Sequence, residues 1–161
     1  MSELALEPYA SQQRWQMPAP LAGRDWRELL VAYLAELARA CAAAPAGPPG
    51  GPRPTGSAGA LIGHIKLLAL FPGGGYLRAS AVSPVHRPTT DGQVPDGLAQ
   101  LSLTLNVLVY GVPREVLAAL ARDTASALAA TRAGQVAEDT VQGMGSPPLH
   151  LSGNHPHPHA E

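Results

Sequence analysis

The chain has 161 residues, with 11 basic against 12 acidic side chains and a formal net charge of −1. That balance leaves no electrostatic footprint for nucleic acid or for an anionic membrane surface, so neither is an expected partner. The single cysteine, Cys41, excludes an intramolecular disulfide. No apolar run reaches the roughly 18 residues of a membrane span. The first residues, Met-Ser-Glu-Leu-Ala-Leu-Glu, lack the basic start and unbroken apolar stretch of a signal peptide, and cytoplasmic residence is the expectation.

Most of the 17 glycines and 17 prolines fall in three segments with little to bury. Residues 1–23 hold Pro8, Pro18 and Pro20 among scattered apolar positions and show no sustained period, which reads as a disordered N-terminal arm. Trp15 and Met17 could clip this arm onto the body or a partner, or simply stand exposed. A helix over roughly 25–44 follows. Asp25 with Glu28 three residues later has capping-box spacing, and Trp26, Leu29, Leu30, Tyr33, Leu34, Leu37 and Cys41 recur at helical intervals. Residues 45–58 form a Pro/Gly linker that cannot continue the helix.

Three strands are expected next, at 60–70, 76–83 and 101–110. Pro72-Gly-Gly-Gly75 joins the first two as a hairpin turn. It lacks the spacing of a phosphate-cradling loop, and no helix follows to receive an anion, so no nucleotide cofactor is expected. Residues 84–98 read as a long loop. The third strand alternates most cleanly, with Leu101, Leu103, Leu105, Val107 and Val109 sharing one face. Gly111-Val-Pro113 stops it and starts a second helix carrying Val116, Leu117, Leu120, Ala127 and Leu128, which ends before Gly134.

The fold expected from this order, α-β-β-β-α, is a two-layer α+β sandwich over 24–133, with two helices on one face of a three-stranded antiparallel sheet. The opposite face then collects His64, Lys66, Tyr76, Arg78, Ser80, Ser102, Thr104 and Asn106, bordered by Ile62, Leu68, Leu108 and Tyr110. A polar, basic patch with an apolar border suits a protein partner or a homodimer contact better than open water. Lys66 is the only lysine in an Arg-biased chain, and with His64, Arg78, Ser80, Thr104 and Asn106 it forms the candidate binding set, for a partner or a small anionic ligand. No carboxylate or nucleophile stands at a readable spacing from His64 to make it a general base, and an enzyme is not expected.

Residues 134–161 read as a disordered tail in which His150, His155, His157 and His159 place four of the six histidines within ten residues. Neutral imidazoles on a pliant string suit zinc, nickel or cobalt. No cysteine or carboxylate cluster completes a structural four-ligand site, so such binding would be labile.

The runs Ile62-Gly-His-Ile-Lys66, Gly75-Tyr-Leu-Arg-Ala-Ser80 and Leu103-Thr-Leu-Asn-Val-Leu-Val-Tyr-Gly111 resemble, over 60–130, an accessory α+β segment associated with CobW-type metal GTPases. The resemblance implies a role beside metal insertion, which the histidine tail would fit. The chain has no Walker A loop, no guanine-reading motif and no Cys-x-Cys-Cys site, so it implies a companion domain rather than a GTPase. The expected function is therefore a non-enzymatic accessory domain that binds a protein through its polar sheet face and holds a divalent metal on its tail.

Overall fold

The computed structural model describes residues 8–45 and 60–139. The sheet is twice as wide as expected. Six strands, β1 (Tyr9–Leu21), β2 (Leu61–Leu70), β3 (Tyr76–Ala81), β4 (Thr89–Gln93), β5 (Leu98–Tyr110) and β6 (Gln135–Asp139), form one sheet in the order β4-β3-β2-β5-β1-β6. Every neighbouring pair is antiparallel. Two helices, α1 (Gly23–Ala43) and α2 (Arg114–Ala130), complete the fold.

The expected three-stranded sheet is corrected by three segments. Part of the supposed arm is β1, which pairs with β5 from Tyr9 to Gln16 and with β6 through Gln12–Gln16. Its alternation is real but chemically mixed: Tyr9, Ser11, Gln13, Trp15 and Met17 are buried while Ala10, Gln12, Arg14 and Gln16 are exposed. Pro18 and Pro20 fall in the register shift between Gln16 and Leu21, where no ladder bond is lost. The supposed 84–98 loop contains β4, a short edge strand with no buried position. The start of the supposed tail is β6, equally exposed. The Pro/Gly linker, apart from its first residue, and the four tail histidines lie outside the described residues.

The hairpin at 71–75 is as expected. Phe71 N–H donates to the Gly75 carbonyl at 2.9 Å, and Gly73 and Gly74 take φ of 89° and 111°, which residues with a Cβ rarely adopt.

All buried strand residues lie on one face, beneath both helices. Ile65, Leu67 and Ala69 of β2, Leu77 and Ala79 of β3, and Leu101 through Val109 of β5 meet Trp26, Leu30, Tyr33, Leu34 and Leu37 of α1 and Leu117, Ala121 and Ala125 of α2. The first helix starts two residues earlier than its apparent capping box. Ala22 is the N-cap and makes no side-chain cap bond, while Asp25 lies in the first turn. The cap comes from a distant loop instead, because Gly23 N–H donates to Oδ1 of Asp96 at 2.6 Å.

Inside the core, β1 brings a polar network. Gln13 Nε2 donates to Tyr33 Oη at 3.0 Å, Trp15 Nε1 donates to Gln13 Oε1 at 3.0 Å, and Tyr33 Oη donates to the Ala121 carbonyl at 3.1 Å. One buried amide therefore ties β1 to α1 directly and to α2 through Tyr33, with both its nitrogen and its oxygen bonded. No helix among the described residues is long and apolar enough to cross a membrane.

Candidate functional site

With both helices on one face, the other is uncovered by any described residue, and its rows can be read from the register. Lys66 stands between Ser80 on β3 and Asn106 on β5, with Thr89 of β4 beyond Ser80 and Ala10 of β1 beyond Asn106. The adjacent row runs Asp91, Arg78, Leu68, Thr104, Gln12 and Asp139 across all six strands. His64 lies opposite Leu108. All six residues singled out as a binding set thus share this face, in two adjoining rows with His64 beside them.

A register shift at Gly63 alters the border. Ile62 and Val109 pair on the core side, and Leu61, which pairs with Tyr110, takes the open side at 61% exposure. Ile62 is therefore corrected from the border of the open face to a residue packed against the core. The extra residue of a bulge reverses alternation at one point, and only the partner strand reveals it.

Two hollows indent this face and share Lys66 and Asn106. The first, of about 530 Å³, extends over β3 and β4 to Arg78, Ser80, Thr89 and Asp91. The second, of about 430 Å³, extends over β5 and β1 to His64, Leu108, Pro8 and Arg114. Thr104 lines neither, although it lies in the row beside them. Among the described residues, Lys66, Arg78 and Arg114 give the combined lining three cations against one carboxylate, Asp91. The chain as a whole carries net −1, so this concentration is local.

The cations are held differently. The Arg78 guanidinium lies over the Tyr76 ring at 5.6 Å, and Arg114 lies over the Tyr9 ring at 5.9 Å while donating to the Pro8 carbonyl at 3.4 Å. Lys66 makes no salt bridge with a described residue. Tyr9 donates to Glu138 at 2.6 Å, and its phenol is held above its usual range, chiefly by burial and next by that bond. Arg14 and Asp139 form an exposed pair at 3.3 Å on the far side of the same face, a contact of small energetic weight.

Thr89, Asp91, Pro8, Tyr9 and Arg114 are among the lining residues that sequence reading missed. The first four ride on or beside strands read as loop and arm. Arg114 follows Pro113 at the start of α2, a position whose direction depends on where β1 lies. Among the described residues no group of three His, Cys, Asp or Glu side chains could hold a metal ion. The tail histidines His150, His155, His157 and His159 lie outside the described residues. No family model, curated protein or solved structure matches the chain.

Proposed function

We propose that the chain is a non-catalytic binding domain that takes an acidic segment of a protein partner on its open sheet face, across Lys66. The observation carrying this reading is the pair of hollows that meet at Lys66 and Asn106, lined among the described residues by three cations and one carboxylate. Leu68 and Leu108 are half-buried among these cations, so an extended segment alternating carboxylates with apolar side chains matches the surface. Lys66 and Arg78 stand exposed rather than enclosed, which suits a ligand lying across strands more than one swallowed by a cavity. A small anionic ligand in the larger hollow is the second reading, favoured by a volume within the usual range for ligand sites.

The test is fluorescence anisotropy with a labelled (Glu-Leu)₃ peptide, a (Lys-Leu)₃ control and inorganic phosphate as competitor. Selective binding of the acidic peptide, weakened at least about tenfold in a Lys66→Glu/Arg78→Glu chain and by added salt, is the expected result. Equal binding of both peptides, or no effect of the substitutions, would overturn the reading. Displacement by millimolar phosphate at constant ionic strength would replace it with the small-ligand reading. Concentration-dependent dimerisation lost in the same variant would replace it with self-association.

A further inference from the structure

We infer that the partner segment carries a phosphorylated serine or threonine whose phosphoryl group sits over Ser80, between Lys66 and Arg78; this rests on the reading of the open face as a docking surface for acidic segments. The register builds the site. Thr89, Ser80, Lys66 and Asn106 stand opposite one another on β4, β3, β2 and β5, so four side chains able to donate hydrogen bonds form one row across four neighbouring strands. All four line the larger hollow, and no carboxylate lies in their row among the described residues.

Depth and reach set the shape. Ser80, short and half-buried, is the floor, while Lys66, Thr89 and Asn106 stand exposed around it. Arg78 comes from the adjacent row, two residues before Ser80 on the same face of β3. Its guanidinium lies over the Tyr76 ring at 5.6 Å, on the side away from Ser80, and its side chain is exposed enough to swing back. A charge-assisted bond to a phosphoryl oxygen outweighs an exposed cation–π contact, so an anion over Ser80 draws it round.

Charge and donor number favour a phosphoryl group over a carboxylate. Lys66 and Arg78 bring two positive charges to one place, and a phosphoserine carries about −1.5 to −2 at neutral pH on three acceptor oxygens. A carboxylate offers a single charge on a pair of oxygens and leaves part of the row idle. Thr89 has its hydroxyl proton to give, since among the described residues it spends it on the Ser80 carbonyl at a long 3.5 Å. Asp91, the one carboxylate lining the hollow among the described residues, stands on the edge strand opposite Arg78, outside the row. The surroundings point to a segment rather than to a free phosphate. Leu68, opposite Arg78 on β2, lines the same hollow half-buried, and a leucine next to the phosphorylated residue would cover it.

The experiment measures, by anisotropy, binding of three labelled peptides to the full chain: (Glu-Leu)₃, Glu-Leu-phosphoserine-Leu-Glu-Leu, and a peptide of equal charge with a pair of glutamates in place of the phosphoserine. The phosphopeptide is expected to bind at least about tenfold tighter than its equal-charge control, a preference that falls below about threefold in a Ser80→Ala/Thr89→Val chain. Amide shifts on adding the phosphopeptide are expected to be largest at Ser80, Lys66 and Thr89. Equal affinity of the phosphopeptide and its control would overturn the inference and leave the docking reading standing. Shifts centred on His64 and Arg114 would overturn it too, by placing the phosphoryl group in the other hollow. If the phosphopeptide binds and (Glu-Leu)₃ does not, the phosphoryl site stands and the carboxylate reading falls. If no peptide binds, both fall.

Discussion

The backbone N–H of Gly23 donates to Oδ1 of Asp96 at 2.6 Å, so the first turn of α1 is capped by a side chain 73 residues away. The bond joins the helix to the segment between β4 and β5, and Gly97 N–H returns a second bond to the Leu21 carbonyl at 2.9 Å. Asp96→Ala should cost about 1 kcal/mol in urea unfolding, the usual weight of a helix cap. Gly23→Ala should cost more, because its Cβ would run into the Val94 carbonyl, which is backbone and cannot turn aside. A smaller loss for Gly23→Ala than for Asp96→Ala would contradict this account.

That remote cap illustrates what the sequence conceals. The stripe of α1, the alternation of β5 and the 72–75 turn are legible because each rests on neighbours in the chain. The polar face is legible too, since strand parity alone puts Lys66, Arg78 and Asn106 on the side opposite Leu67, Leu77 and Leu105. β1 is hidden because Ser11 and Gln13 occupy core positions, and Gln13 suits its place through Tyr33, a partner that no local pattern reveals. β4 and β6 bury no position fully, so they have no apolar period to read. With β1 and β4 unseen, six of the seventeen described lining residues of the candidate site went with them.

The Gln13–Tyr33 bond should be energetically expensive to break. Tyr33→Phe keeps the ring beside Trp15 at 5.3 Å but leaves the Gln13 amide without its acceptor and the Ala121 carbonyl with its helical donor alone. A loss of about 1–3 kcal/mol is expected from buried groups left unpaired. Chemical denaturation of the variant measures it, and a change below about 0.5 kcal/mol would mean that water or a rearranged Gln13 fills the gap.

Because the described residues contain no three-ligand group, any zinc, nickel or cobalt taken up by the chain should map to the tail histidines. Calorimetric titration of the untagged protein is expected to show binding that disappears in a His150→Ala/His155→Ala/His157→Ala/His159→Ala chain and persists in His64→Ala. Binding retained by the fourfold variant would move the ligands into the folded domain.

The edge strand β4 is held from the helical side by Arg27, whose Nη2 donates to the Gly92 carbonyl at 2.8 Å and whose Nη1 donates to Thr90 Oγ1 at 3.1 Å. Since β4 carries Thr89 and Asp91 into the larger hollow, Arg27 positions that wall without touching what binds there. Arg27→Ala should speed hydrogen exchange of β4 and its β3 partners by roughly tenfold, the weight of one charge-assisted bond, and leave β5 unchanged. A uniform acceleration across the sheet would show that Arg27 supports the whole fold instead.

Alkaline pH should loosen the core through Cys41 and Tyr33. Burial pushes the Cys41 thiol up to about 11 from 9.0 and pushes the Tyr33 phenol up from 10.0, so both groups keep their protons longer in the folded chain than in the unfolded one. Between pH 9 and 11 the folded state binds more protons, and stability must fall as pH rises. The thiol's contribution is complete below about pH 9 and gone above about pH 11, with Tyr33 extending the fall to higher pH. The urea midpoint is therefore expected to hold steady from pH 7 to 8.5 and then decline. In Cys41→Ala the decline should begin about one unit later, where tyrosine ionisation takes over. An unchanged onset in that variant would show that the thiol reaches solvent in the folded state and that α1 packs less tightly at its C-terminal end than its burial implies.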